Sequence, residues 1–173
     1  MISIRSIQTN QLKKKEIIEI CKLKNTFWRY GLKSNLNWFN SNTKNKDIHN
    51  LLCYKDKFIG YSLLRKRVFF IKKVKKNYLY SDTLIIKKNF RNLKLARIFW
   101  KFNSEIILRE KIHAFLICTP YIKPFHKKFG WKLMKKKDYK IFDYKPSFKK
   151  FYAMTFNLKP EIIKCKKTYF VNK

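Results

Sequence analysis

The strongest constraint on the fold of this chain is a change in the spacing of its apolar residues near position 87. Before it, IHNLLCY and FIGYSLLRKR are separated by Lys55-Asp56-Lys57, and a lysine-rich turn leads to YLYSDTLII at 78–86. Their two-residue alternation is that of strands, so the three segments form an antiparallel meander. After it, Leu95, Phe99, Phe102 and Ile106 recur at helical spacing from about Leu93 to Arg109, and the helix ends in basic residues that suit its negative pole. HAFLICT at 113–119 is then a short, continuously apolar run, the pattern of a strand covered on both faces. A strand, a helix and a covered strand in succession make a parallel crossover, so the sheet is mixed.

The flanking segments complete the plan. ISIRSI at 2–7 alternates as a first strand, and Thr9 or Asn10 is placed to cap a helix with Leu12, Ile17, Ile20 and Cys21 on its apolar face. A second helix fits around Asn35 to Phe39. In YIKPFHKKFGW, Pro124 suits a first helical turn, Phe125 and Phe129 are one turn apart, and Gly130 suits the left-handed residue that ends a helix. WKLM resumes a strand, and FYAMTFNL at 151–158 alternates as the last one. The expected fold is α+β, with a mixed, mostly antiparallel central sheet of six to seven strands flanked by helices in three layers. A single domain spans 1–160, and 161–173 is read as a basic tail without an assigned role.

Lysine and arginine number 43 against 10 acidic residues, a formal charge of +33. Such a charge attracts polyanions. Yet the seven arginines are outnumbered by 36 lysines that occur in nearly every segment, and alanine and glycine number only three each. A composition favouring residues encoded by A and T accounts for much of this charge as solvated surface, and no recognition helix rich in base-reading side chains stands out. Nucleic-acid binding is therefore expected to be non-specific only. MISIRSIQTN lacks the features of a secretory leader, no run of eighteen apolar residues occurs, and a cytoplasmic protein without a membrane span is expected. Cys21, Cys53, Cys118 and Cys165 lack the paired spacing of a zinc or redox motif, and His49, His113 and His126 offer no short-range ligand spacing. Reduced thiols and no metal are expected.

Two stretches point to a chemistry. LIIKKNFRNLKLA, from Leu84 to Ala96, resembles the signature of the GNAT superfamily of acetyl-CoA-dependent N-acyltransferases, in which a strand runs into Arg/Gln-x-x-Gly-x-Gly/Ala at a helix start. Arg91 and Ala96 match its ends, while Lys94 stands at its first glycine. FHKKFGW, from Phe125 to Trp131, is similar to that family's second signature, Leu-Tyr-x-Lys-x-Gly-Phe. Together with the element order, the resemblance covers roughly residues 2–158. It implies acetyl-CoA as co-substrate, with the main chain of Leu84 and Ile86 pairing with the pantetheine arm as a neighbouring strand would. The backbone N–H groups of Arg91, Asn92, Leu93, Lys94, Leu95 and Ala96 would hold the pyrophosphate at the positive end of the helix. Glycine serves there only for clearance, and the Lys94 ammonium offers partial compensation for its absence.

Acetyl transfer to an amine needs a free amine, its attack on the thioester carbonyl and a proton for the departing thiolate, with no covalent enzyme intermediate. The family often places a tyrosine acid where this chain has His126, so the resemblance makes His126 the acid, an imidazole titrating near working pH. Its alternative is a solvated residue among Lys127 and Lys128. Asp82, in an apolar strand and on one face with Leu84 and Ile86 by alternation, is a candidate base; a plain ion pair with a lysine weighs equally. His49, beside Asp47 in KDIHN, is a second candidate base or substrate contact, its alternative a surface residue. Phe27, Trp28, Tyr30, Trp38 and Phe39 crowd the region of the first two helices; Trp28, Tyr30 and Trp38 are candidates for stacking on an acceptor, against simple packing. The leading reading is N-acetylation of a small, anionic amine such as a nucleotide-linked amino sugar. Acetylation of a protein or peptide amine and a basic nucleic-acid-binding domain are the competing readings, and a homodimer is left open.

Overall fold

The meander is closed by two tight turns made of charged residues. Lys55 and Asp56 have φ of 45° and 58°, and Lys72 and Lys73 have φ of 46° and 72°. Two successive positive φ angles give a turn whose twist matches that of paired strands. The turns join β2 (Ile48–Tyr54) to β3 (Lys57–Ile71) and β3 to β4 (Val74–Ile86). The structure, a computed structural model, describes residues 1–91, 93–142 and 151–172.

β1 (Ile2–Gln8) pairs antiparallel with β2, from Ile2↔Tyr54 to Gln8↔Ile48. Between them lie α1 (Lys14–Asn25) and α2 (Leu32–Asn42). Neither Thr9 nor Asn10 caps α1: both sit in a short 3-10 turn, and the cap is Lys13, whose backbone N–H donates to the Glu16 carboxylate at 2.8 Å. A glutamate at the third helical position satisfies an orphan N–H there, so Lys13 needs no capping side chain of its own. α3 (Leu93–Arg109) follows β4, and β5 (Ala114–Cys118) then pairs parallel with β4 at Leu79↔Ala114 and Tyr80↔Phe115, where the ladder ends. Next come α4 (Lys123–Lys128), β6 (Lys132–Leu133), β7 (Tyr139–Ile141), β8 (Tyr152–Phe156), α5 (Pro160–Ile163) and β9 (Lys167–Tyr169). The strand order is β1-β2-β3-β4-β5-β8-β6, with β9 on β3 and β7 on β9. Among the described residues the main path of the sheet thus carries seven strands, within the six to seven expected, and β9 and β7 extend it off that path.

The chain forms two compact units, residues Met1–Arg65 with Asp82–Asn103, and Lys66–Ser81 with Ser104–Lys173. In the first, the sheet is covered on both faces. Ile20, Cys21, Leu23 and Phe39 of α1 and α2 pack with Leu51, Tyr61, Leu63 and Ile85 on one side. Leu95 and Phe99 of α3 pack with Leu52, Ile59 and Ile86 on the other. The α3 side is pinned by a buried polar trio: Asn50 Nδ2 donates to Asn103 Oδ1 at 2.8 Å, Ser62 donates to the same oxygen, and Asn103 Nδ2 donates to the Phe99 carbonyl at 2.7 Å.

The second unit is built on aromatic rings. Phe69, Tyr78, Phe115 and Tyr169 share its core with Met134, Ile141, Ala153 and Ile162. The segment beyond residue 160 is part of that core rather than a tail, because β9 pairs with β3 at Phe69↔Tyr169 and with β7 from Tyr139↔Lys167 to Ile141↔Tyr169. Lys167 is itself fully buried, its ammonium donating to the Ile163 carbonyl at 3.3 Å and to that of Cys165. Among the described residues no helix is long and apolar enough to cross a membrane.

Candidate active site

The end of β4 is held against β3 at close quarters. A Cβ on Gly60 would lie 3.0 Å from the Leu52 side chain and 3.2 Å from the Ile85 carbonyl oxygen, so only glycine lets the strands approach this way. The Lys87 N–H donates to the Ile59 carbonyl at 2.8 Å, and the chain then turns through a 3-10 segment, Lys88–Phe90, into α3. Arg91 folds back on this turn: its Nε donates to the Ile86 carbonyl at 3.0 Å, and its guanidinium lies 4.4 Å from the Phe27 ring centroid. Leu95 is buried and Ala96 half-buried against the α3 core, as are Ile86 and Leu84 on the strand. Lys87, Lys88, Arg91, Lys94 and Arg97 are exposed around the helix start. Asn92 and the Leu93 side chain lie outside the described residues. A helix start presents N–H groups without intrahelical partners and the positive pole of the helix dipole, and here cations surround it. These residues suit an anionic, phosphate-bearing ligand.

Asp82 belongs to a different face from the one its spacing suggests. Leu84 and Ile86 pack toward α3, whereas Ile85 packs toward α1 and α2 with Tyr61 and Leu63. Asp82 accepts a 2.7 Å hydrogen bond from Arg65 Nη1, and Arg65 continues the Tyr61, Leu63 row of β3. Asp82 therefore shares the face of Ile85, and the two-residue period is offset by one between them, as a bulged strand does. Its other oxygen takes the Thr83 hydroxyl at 3.1 Å. Arg65 is buried with its guanidinium 5.8 Å from the Trp38 ring centroid. Above the same ring, at 3.1 Å, lies the ammonium of Lys24, a residue only 4% exposed. Burial lowers the Lys24 pKa to about 8, with Asp82 opposing the shift.

His49 is a buried connector, not a surface residue. Its Nδ1 lies 2.8 Å from the Tyr61 hydroxyl and its Nε2 2.7 Å from Thr9 Oγ1, which in turn lies 3.4 Å from the Asp47 carbonyl. Burial raises the Tyr61 pKa well above its ordinary value, so Tyr61 stays protonated and donates to Nδ1; Nε2–H then donates to Thr9, and Thr9 to Asp47. Burial, with Lys24 nearby, lowers the His49 pKa to about 3. A neutral ring with both nitrogens engaged positions its neighbours.

His126, on α4, belongs to the second unit, and Asp82 and His49 belong to the first. It is buried rather than solvated among its lysines, with the Phe125 and Trp131 rings 5.9 and 6.1 Å away. Burial lowers its pKa to about 4, so the expectation of an imidazole titrating near working pH is corrected: the ring is neutral there. Lys127 and Lys128 on the same turn are exposed, which is why the local sequence suggests a wet surface.

The aromatics of the first unit divide. Phe39 is core, Trp38 is half-buried beneath Lys24, and Trp28 and Tyr30 are 38% and 73% exposed in the α1–α2 connection. Trp28 joins the cluster through Lys24, whose ammonium is 5.8 Å from its ring; Tyr30 does not. Sequence reasoning missed Lys24 and Arg65, though both leave a signal. Lys24 extends the buried helical stripe Ile17, Ile20, Cys21, and Arg65 extends the inward-facing row Tyr61, Leu63; a cation in an apolar row marks a site. Among the described residues no group of three or more His, Cys, Asp or Glu side chains is placed to hold a metal ion.

No family model matches the chain, and no curated protein matches it in sequence. Solved structures do. The GNAT family N-acetyltransferase YhbS from Escherichia coli, solved with CoA, superposes with a TM-score of 0.69 at 12% identity, over 98% of this chain and 88% of that one. An acyl-CoA N-acyltransferase from Pseudomonas aeruginosa gives 0.66 at 9% identity, covering 90% and 99%. Arabidopsis thaliana Naa50, bound to the bisubstrate analogue CoA-Ac-MVNAL, gives 0.61 at 16% identity, also over 90% and 99%. The mixed sheet, its flanking helices and these likenesses together identify the fold of this chain as that of the GNAT acetyltransferases.

Proposed function

We propose that the chain is an N-acetyltransferase that moves an acetyl group from acetyl-CoA to the primary amine of a small acceptor. The observation that carries this reading is β4 leading into an exposed, cation-ringed helix start within the GNAT fold. The main chain of Leu84 and Ile86 would bind the pantetheine amides, and the N–H groups of the first turn of α3 the pyrophosphate, the Arg91 N–H being taken by the Lys88 carbonyl at 3.2 Å. Acetyl-CoA supplies an activated acyl carbon. The acceptor amine, having lost its proton, forms the new C–N bond while the C–S bond breaks, and the thiolate leaves to take up a proton.

The chain's own residues have distinct parts in this reading. Asp82 and Arg65 form a fixed ion pair at the acceptor end, below Trp38. The His49 chain from Tyr61 to Asp47 holds β2 and β3 against the entry to α1. The likeness to Naa50, captured with a peptide-bearing analogue, supports a peptide amine as the second reading.

The test is thiol release from acetyl-CoA in the presence of a panel of amino sugars, amino acids, polyamines and short peptides. Turnover with at least one amine is expected. Acetyl-CoA binding without turnover on any amine would leave the chain a CoA-binding protein and remove the transferase assignment.

A further inference from the structure

The buried cluster at the end of α1 is one negative charge short. Lys24 and Arg65 bring two cations, and Asp82, ion-paired with Arg65, is the carboxylate that acts on both. Both Asp82 oxygens are engaged, by Arg65 and by Thr83. Among the described residues no hydrogen bond reaches the Lys24 ammonium, which has only the faces of Trp38 and Trp28 at 3.1 and 5.8 Å. An ammonium carries three donors, and buried cations are ordinarily paired and hydrogen-bonded. This residue is 4% exposed, and no carboxylate among the described residues touches its ammonium, on which Asp82 acts only from beyond contact distance. The cluster opens toward solvent, since Trp28 is 38% exposed and the Asp82 side chain 17%.

We propose that the acceptor is a primary amine that also carries an anionic group, a carboxylate or a phosphate, and that the Lys24 ammonium between Trp28 and Trp38 is the donor that binds it. The proposal rests on the transferase reading and narrows it to one substrate class. The anion supplies the missing charge and accepts the unused hydrogen bonds, and the indole rings give an apolar wall on either side. The groups facing Lys24 are Cys21 on its own helix, Arg65 from β3, Asp82 from β4 and His49 from β2; α2 contributes only the uncharged Trp38. Arg65 and the neutral His49 cannot supply the missing charge.

The linkage has a definite sign. Free Lys24 has a pKa lowered to about 8, so it is mostly protonated at pH 7 and loses its proton just above. An anion binds the protonated form better, and its advantage is full below that pKa and is lost as pH rises through it.

The test compares amines that differ by one anionic group, with and without saturating coenzyme A: glucosamine 6-phosphate against glucosamine, and tyrosine against tyramine, by equilibrium titration. The anionic member of at least one pair is expected to bind about tenfold to a hundredfold tighter at neutral pH, as a charge-assisted hydrogen bond gives. That preference should shrink above pH 8 and fall to about one in Lys24→Met, which keeps the stem on Trp38. Which pair shows it distinguishes phosphate from carboxylate. Equal affinity within both pairs, a preference that persists in Lys24→Met, or no binding by either anionic amine at millimolar concentration overturns the proposal. Because coenzyme A binding is measured separately on the same samples, loss of the acceptor class does not remove the transferase reading.

Discussion

Replacing Tyr169 by alanine is expected to be among the most damaging single changes in the chain, although only four residues follow it in the sequence. Its side chain is fully buried. The ring stacks on Phe115 at 4.0 Å between centroids and packs against Tyr78 at 4.9 Å and Phe69 at 5.4 Å, while its hydroxyl lies 3.2 Å from His113 Nε2. Truncating a buried aromatic to alanine costs about 3–5 kcal/mol, through lost transfer energy and the cavity left behind. For a chain of this length each kcal/mol lowers Tm by about 2–4 °C, so Tyr169→Ala should melt about 6–20 °C below the wild type. Tyr169→Phe removes only the hydroxyl; at about 0.5–1.5 kcal/mol for one hydrogen bond, its Tm should fall by about 1–6 °C. Thermal unfolding followed by circular dichroism measures both. A Tyr169→Ala protein melting within about 2 °C of the wild type would refute the placement of β9 in the aromatic core.

Gly60→Ala should destabilise the protein by about 1–3 kcal/mol in urea unfolding, because the new methyl meets the buried Leu52 side chain and a backbone carbonyl that cannot swing away; wild-type stability would show that β3 and β4 are not so closely apposed. Acid should weaken the fold through its buried histidines. The folded pKa values of His49, His113 and His126 are lowered to about 3, 4 and 4, so below the ordinary value of 6.5 the unfolded chain takes up protons that the folded chain refuses. The associated stability is present above pH 6.5 and lost as pH falls toward 4, at about 1.4 kcal/mol per pH unit for each histidine. His49→Gln should remove one such contribution from the slope, and an unchanged slope would show that His49 is not held neutral by the fold.

The parts of the fold that were legible in the sequence are those with a long, unbroken period. The β2–β3–β4 meander and α3 each repeat their pattern over many residues, and the α3 limits, Leu93–Arg109, match the expectation. β9 was illegible because three residues flanked by lysines carry no period, and its partners on β3 and β7 are distant in sequence. Asp82 was assigned to the wrong face because strand alternation holds only where no residue is inserted, and the offset before Ile85 leaves no mark in composition. The basic loop at the start of α3 could be read from Arg91, Lys94 and Ala96. The cluster of Lys24, Arg65 and Trp38 could not, since these residues come from α1, β3 and α2 and meet only in three dimensions. Burial of His126 by Phe125 and Trp131 was masked by the lysines that follow it.

The claim that this chain uses acetyl-CoA is tested most directly by melting the protein against increasing acetyl-CoA, with Lys94→Glu alongside. Lys94 is exposed, so the reversal leaves the α3 core untouched while placing a negative charge beside the proposed pyrophosphate site. A ligand that binds only the folded state stabilises it by about 2.7 kcal/mol at a hundredfold excess over its Kd. The wild type should therefore gain about 5–11 °C at that excess, and Lys94→Glu should need about tenfold more ligand for the same gain. No shift of the wild type at millimolar acetyl-CoA would contradict the account, and an identical titration for Lys94→Glu would remove the pyrophosphate from the start of α3.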